Sequence, residues 1–588
     1  MSIPATPPRP RRALPPRSRV GSAALALLPV ACALAALAIG QDANYDLLNY
    51  HYYDPYAFLH GRLAVDVIPA SLQSYLNPLV DLPFYFLMNH APPRVEAAVV
   101  GAVQGLNLVL VYLIGRRVAR SRLVACAATV AAGVAGGFAS ELGNSMGDTI
   151  VSIPLLVGVL CAVVAIERAG SEGGGGRQEL AWWVAAGVAA GIGSGLKLSE
   201  IPVGLGVVVA AVAVRGRVRD RLVRLAGGAL GLAGGVLATS GYWSWFLWRT
   251  YKDPIAFSQA SFGIFHSPYV PETNLGASRF GPKTLLDAVV FPVYWALHPL
   301  RVAEVRLREL SIPIAYLLVA VLVVATLVVA VARVVRGRAG GPSAAGAETE
   351  EDASSGRRAE APFAADVDRY LVALFAVSLA LWTKVFDVYR YLIPLELLSP
   401  LVAYGAARRI LGLGSDASWV RRRGSRALVP GFLCVCALCA ATANPANYWG
   451  RAPFGSRFFS LALPGVLANG RVDAVVEVGG QPLGFIFPQL PPRIVAIGGI
   501  GNLLTPANRA LARRALARVR ADGGTVDVAF VDVPPLAGLG TPGGTARYLD
   551  RLGAPGLVAQ VCDVVRAGIG AGYQPVKFCR YGPKGPAV

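Results

Sequence analysis

The chain has 588 residues, of which 54% are hydrophobic and only 15% charged, and its net charge is +20. A soluble domain carries about 25% charged residues, so the composition excludes an ordinary soluble protein, and apolar runs long enough to cross a bilayer recur along the whole length. The positive charge does not point to nucleic acid: it is gathered in short links between apolar runs, at 9–19, 116–122, 215–224, 333–338 and 421–426, which is the positive-inside pattern of a polytopic membrane protein.

In chain order, a basic stretch precedes an apolar run from about Gly21 to Gly40. It reads as a retained first span, because no small-x-small cleavage site follows it. Spans are predicted at about 22–40, 94–114, 121–140, 149–166, 180–196, 200–214, 225–248, 311–332, 370–385, 388–407 and 427–444, about eleven in all. With the N-terminus inside, every Arg-rich link falls in the cytoplasm. The acidic, Ser/Gly-rich piece at 341–361 falls there too and reads as a disordered loop. Two further apolar segments, SYLNPLVDLPFYFLMNH (74–90) and TLLDAVVFPVYWALHPL (284–300), carry Asp, Pro and aromatic residues. Counting either as a span would put Arg-rich links on the wrong side, so both are expected as helices lying at the outer interface.

An odd number of spans places the C-terminus outside, and from about 445 the composition changes. VDAVVEV (472–478), RIVAIGGI (493–500), TVDVAFVDV (525–533) and a final QPVKFCRY read as strands. Residues 506–524 and 544–568 read as helices. The expected fold is therefore mainly α: a polytopic transmembrane helical bundle over 1–444, with outer-face interfacial helices, followed by a small extracytoplasmic α/β domain over 445–588. Of the eight Cys, six lie in or near apolar spans. Cys562 and Cys579 lie in the polar C-terminal region and can pair if that region is exported, two unpaired thiols being the alternative.

This topology gathers the unusual polar residues on one face. The loop after the first span holds Asp42, Asp46, Asp54, Asp66 and Asp81 against Arg62; later outer loops hold Glu141 and Asp148, Lys197 and Glu200, and Lys384, Asp387 and Arg390. Ionisable groups at spans are costly and mark functional sites by default. Asp42 and Asp46 stand four apart, on one face if helical. They can hold a divalent metal such as Mg or Mn, or divide the work of base and orienter, or Asp42 can merely cap the helix that follows. His51 and His60, among Tyr50, Tyr52, Tyr53 and Tyr56, can bind a sugar, although Tyr is also the residue of the membrane-interface belt. Lys197 can reach the headgroups or bind a phosphate. Arg390 can pair with Asp387 or clamp a phosphate. No zinc motif, Walker A or GxSxG is present.

An uncharged first span, an acidic outer loop and a helix of the type N-P-L-x-x-x-P-F-Y resemble the GT-C superfamily of polytopic glycosyltransferases. The likeness continues through RVEAAVVGAVQGLNLVLVYLIGRRVARSRLVACAATVAAG, ELGNSMGDTIVSIPLLVGVL, GIGSGLKLSEIPVGLG and RYLIPLELLSPLVAYG, over about residues 20–410. Aminoarabinose transferases and protein mannosyltransferases of bacteria show comparable blocks in the same order. The resemblance implies an inverting transferase of the cytoplasmic membrane. It would move a sugar from a polyprenyl-phosphate donor to a lipid or glycan acceptor at the outer face. By the same resemblance Asp42 matches the catalytic base, with Asp46 able to stand in, from the next turn, for the second acid of the family's loop. Asp148, Lys197 and Arg390 match substrate-binding positions, to which the Tyr-rich loop adds His51. The family often has two adjacent acids in the first loop; here Ala43 follows Asp42, which leaves metal dependence open. Two other readings remain: a transporter or flippase of lipid-linked glycan, and a non-catalytic assembly partner with the same fold.

Overall fold

The structure is a computed structural model describing residues 19–169, 176–255, 265–270, 280–339, 360–413, 418–444, 449–468, 473–478, 482–498, 505–531 and 542–583. Helices occupy every predicted span. They are α1 (Arg19–Ile39), α4 (Pro93–Gln104) continuing as α5 (Leu106–Ala119), α6 (Arg122–Gly133) with α7 (Gly136–Ser140), α8 (Asp148–Ala169) and α9 (Gly176–Leu196). After these come α10 (Ile201–Val209), α11 (Val218–Tyr251), α13 (Ser311–Ala339), α14 (Glu360–Val385), α15 (Ile393–Leu413) and α16 (Ser418–Thr442). Among the described residues five helical runs are long and apolar enough to cross a membrane: Pro93–Ala119, Asp148–Ala169, Gly176–Leu196, Val218–Tyr251 and Ser311–Val335. The chain is a mainly helical, multi-pass membrane protein. The loop expected at 341–361 lies outside the described residues except for its last two positions, which begin α14.

Close packing of the spans rests on small residues. Gly187 and Gly191 of α9 face α11 so tightly that a methyl at either would sit 2.0 Å from the Gly228 carbonyl oxygen or 2.2 Å from that of Leu232. In lipid, where apolar side chains gain little by leaving their solvent, such backbone contact is what joins helices.

The helix ends separate by charge. At one set, Arg408 pairs with Asp368 and donates to the Val118 carbonyl, and Arg215 pairs with Asp366. The acidic loops lie at the opposite ends of the same helices. The two apolar segments of mixed character are short helices here. The first is broken into 3-10 turns at Ser71–Tyr75 and Pro78–Val80 before α3 (Leu82–His90), as Pro78 and Pro83 require. The second forms α12 (Leu285–Leu297).

The C-terminal region carries a six-stranded sheet built from β3 (Phe459–Leu461), β4 (Ala474–Glu477), β5 (Val495–Ile497), β6 (Val526–Val531), β7 (Leu557–Ile569) and β8 (Gly572–Pro583), in the order β3-β7-β8-β6-β4-β5. β5, β4 and β6 run parallel, with α17 (Pro506–Ala521) as the crossover between β5 and β6. One expectation is overturned. The helix read over 544–568 is confined to α18 (Pro542–Arg551), and the rest is the long strand β7. Gly553 and Gly556 take φ of +82° and +72°, which end the helix, and the β-branched run that follows suits a strand. Cys562 and Cys579 are direct partners across β7 and β8 and are joined by a disulfide.

The sheet domain covers the first loop. A short strand β1 (Gln41–Asp42) pairs with β2 (Arg451–Ala452), and Val67 bridges to Ile497 of β5. Arg62 donates to the Pro492 and Ile494 carbonyls. Tyr52 packs on Phe459 and Tyr53 on Phe487, with ring centroids 4.7 and 6.0 Å apart. Tyr50, Tyr52, Tyr53 and Tyr56 are all buried. The aromatic loop is therefore not a membrane belt: its rings form the floor on which the C-terminal domain sits.

Candidate active site

Asp42 and Asp46 do not share a helix face. Asp42 lies in β1, while Asp46 stands at the start of a π-helical turn, Leu47–His51. Nor does Asp42 cap that turn: the Asn44 side chain accepts from the Leu47 amide at 2.8 Å. Asp42 is fully buried, and its carboxylate accepts from the Asn44 amide and side chain and from the Ser145 amide and hydroxyl, at 2.7–3.0 Å. It works as a clasp between the first loop and the 141–147 loop. Arg451, next to it across β1 and β2, donates to the Ser140 and Leu142 carbonyls at 2.9 Å and locks the same loop from the C-terminal side.

One residue beyond the clasp, the Met146 carbonyl accepts from Lys197 Nζ at 2.6 Å, and that ammonium lies 2.6 Å from Asp148 Oδ1. Lys197 ends α9 and Asp148 begins α8, so two spans deliver opposite charges to one point. A second pair stands beside it. Arg390, from the 3-10 turn Tyr389–Leu392, donates to Asp46 Oδ2 at 2.5 Å. It does not pair with Asp387, which is held at a φ of +54° against Gly281 and pushed up to about 7 by burial. Tyr391 lies between the cations, its ring 5.6 Å from Lys197 Nζ and 5.3 Å from Arg390 Cζ.

The electrostatics are those of a dry but balanced site. Burial works to raise the Asp46 carboxyl, but Arg390, with His51 and Lys197 farther off, holds it below its ordinary range. Burial works to discharge Lys197, and Asp148 outweighs it, so the ammonium is held above its usual value. Burial, and after it the neighbouring Asp148, push the Glu141 carboxyl well above its ordinary range. Lys197 thus faces Asp148, and Arg390 faces Asp46, in one cluster.

His51 completes it. Its Nδ1 lies 2.6 Å from Asp81 Oδ1, both residues are 1% exposed, and its Nε2 meets no hydrogen-bond partner among the described residues. Burial raises Asp81, and His51 opposes that rise.

So Asp46, His51, Asp148, Lys197 and Arg390 converge, with Asp42 one residue away through Ser145. Ser145, Tyr391 and Arg451 belong to the same cluster and went unmarked in the sequence, and Asp81 was marked only as one acid of the first outer loop. Asp81 sits in a segment whose prolines suggested only an interfacial helix, and Arg451 follows a composition change that resembles a linker. A divalent cation does not fit Asp42 and Asp46 as placed. The first has its oxygens taken by Asn44 and Ser145, and the second faces Arg390. Among the described residues no group of three or more His, Cys, Asp and Glu gathers at metal-binding geometry.

The clasp makes a prediction. An Asp42→Asn amide would turn a donor toward donors, losing about two hydrogen bonds to a charged group at roughly 1.5–3 kcal/mol each. Thermal unfolding in detergent is expected to show that loss as the 141–147 loop slackens. Unchanged stability with abolished turnover would instead place Asp42 in the chemistry.

No family model and no curated protein matches the chain. A solved structure of ArnT from Cupriavidus metallidurans bound to undecaprenyl phosphate is similar to it, with a TM-score of 0.48 and 11% identity over 96% of this chain and 98% of that one. So distant a likeness assigns no residue a role.

Proposed function

We propose that the chain is a membrane glycosyltransferase of GT-C type that moves a sugar from a polyprenyl-phosphate donor to a lipid or glycan acceptor, with inversion, at the outer face of the cytoplasmic membrane. The observation that carries this reading is the convergence of Lys197 and Arg390, two cations with side chains only 14% and 12% exposed and 5–6 Å from one tyrosine ring, at the ends of apolar helices. A phosphate whose lipid tail lies between spans meets two charge-assisted donors at that place. The departing phosphate gains most from such donors, because its charge grows as the glycosidic bond breaks. The order of sequence blocks over residues 20–410 supports the family.

Orientation follows from charge. The Arg-rich helix ends belong in the cytoplasm, which leaves the cluster and the sheet domain outside, and the Cys562–Cys579 disulfide suits that compartment. The covered first loop makes the C-terminal domain the natural wall of the acceptor side. In the reaction Asp148 and Asp46 hold the two cations until the donor phosphate arrives.

The test is transfer by purified protein in nanodiscs from undecaprenyl-phosphate-linked pentoses and hexoses, with a membrane lipid and glycan extract as acceptor, with and without EDTA. Release of undecaprenyl phosphate coupled to labelling of an acceptor is expected. Movement of the lipid-linked sugar across vesicles without transfer would sink the enzyme reading in favour of a flippase.

A further inference from the structure

We propose that His51, oriented by Asp81, is the group that takes the proton from the acceptor. The proposal rests on the transferase reading above and adds the acid–base half of the reaction to the phosphate half.

Three observations carry it. The imidazole is buried, yet only one of its nitrogens is used: Nδ1 lies 2.6 Å from Asp81 Oδ1 and Nε2 has no partner among the described residues. A buried polar atom without a partner costs free energy, and its persistence asks for a ligand. The ring is also fixed. It packs against Tyr50 at a centroid distance of 4.0 Å with the ring planes tilted by 40°, and it ends a π-helical turn, an irregularity common at functional sites. Finally, His51 belongs to the cluster that holds the cations, for it acts on the Asp46 carboxyl that Arg390 pairs with, and Lys197 acts on Asp81.

The other carboxylates are poorly placed for this work. Asp42 has its lone pairs occupied by Asn44 and Ser145, and Asp46 is held ionised by Arg390, which makes it a weak base. A histidine whose Nδ1–H is given to a carboxylate presents Nε2 as a lone-pair nitrogen, the arrangement by which a third group orients a base. Asp81 is thus the positioning residue and His51 the catalytic one.

The step balances. The acceptor oxygen or nitrogen forms a bond to the anomeric carbon while the bond from that carbon to the phosphate oxygen breaks. The electron pair leaves with the polyprenyl phosphate, beside Lys197 and Arg390, and the acceptor proton passes to His51 Nε2. Attack from the face opposite the phosphate inverts the anomeric centre.

Two variants and one signature test it in nanodiscs. His51→Gln is expected to bind undecaprenyl phosphate as the wild type does and keep its KM for donor, while kcat falls about 100- to 10,000-fold. Asp81→Asn, which keeps the side-chain volume, is expected to lower kcat by at least about 100-fold with the same KM. In protein labelled with 15N-histidine, the His51 signal, assigned by its loss in His51→Gln, is expected to report a protonated Nδ1 and a bare Nε2, and Asp81→Asn to disturb that tautomer. Wild-type turnover by His51→Gln, or an Nε2–H tautomer in the wild type, would overturn the dyad and leave the transferase standing. A wild type that transfers no sugar from any donor overturns the transferase, and the dyad's task with it. Binding of undecaprenyl phosphate certifies that each variant is folded.

Discussion

Lys197→Met is expected to destabilise the protein by about 3–5 kcal/mol, the usual consequence of leaving a buried charge without its partner. Asp148 is fully buried, and the Lys197 ammonium 2.6 Å away is its counter-ion. Glu141 beside it is another acid and supplies no positive charge to compensate. The size of the loss alone does not separate a structural cation from a phosphate ligand. The double variant Lys197→Met/Asp148→Asn does, because it removes both charges and so restores most of the stability. If Lys197 binds the donor phosphate, affinity for undecaprenyl phosphate stays low in the double variant although thermal unfolding recovers. Recovery of both would make the pair a brace between α8 and α9 and nothing more.

Arg390→Gln carries a loss of similar size, since it strands Asp46 in the cluster. Here the partner residues lie 344 positions apart in sequence, so the pair also ties the first loop to the turn before α15. Arg390→Gln/Asp46→Asn is expected to regain stability while binding undecaprenyl phosphate roughly 10- to 100-fold more weakly, the worth of one or two hydrogen bonds between charged groups. Arg390→Lys should fall between the variants, because a point charge keeps the attraction to Asp46 and loses the bidentate fork. A lysine variant equal to wild type in donor affinity would count against a clamp.

Much of this site was legible as a set and little of it as pairs. Asp46, Asp148, Lys197 and Arg390 could be marked from the sequence because a membrane penalises ionisable groups at span ends, and alternation of the spans sends their ends to one side. Which carboxylate meets which cation could not be read. Asp387 is three residues from Arg390, yet its backbone takes a left-handed conformation against Gly281 and Arg390 turns to Asp46 instead. Asp42 matches the base by the resemblance alone, the residues themselves leaving base, metal ligand and cap open. Only the Ser145 amide and hydroxyl, 103 residues on, show its oxygens to be in use. In the C-terminal domain the parallel strands β4, β5 and β6 were plain from their apolar β-branched runs. The strand β7 was not, because its Ala, Leu and Arg content also suits a helix. Two glycines with positive φ and a cysteine opposite Cys579 decide the matter.

The pairing of β1 with β2 sets a schedule for the making of the protein. Gln41 donates to the Phe458 carbonyl, 417 residues later in the chain, and the lock on the 141–147 loop waits for Arg451. At ribosomal rates of about 5–20 residues per second, roughly 20–80 seconds separate the synthesis of the two partners. Throughout that interval the first loop, with the tyrosines and the histidine that are buried in the finished protein, has no cover. A chain halted before residue 450 would have its spans inserted and no finished site. Nascent chains of that length are therefore expected to be the form most open to proteases, and completion of the last quarter of the chain the event that closes it.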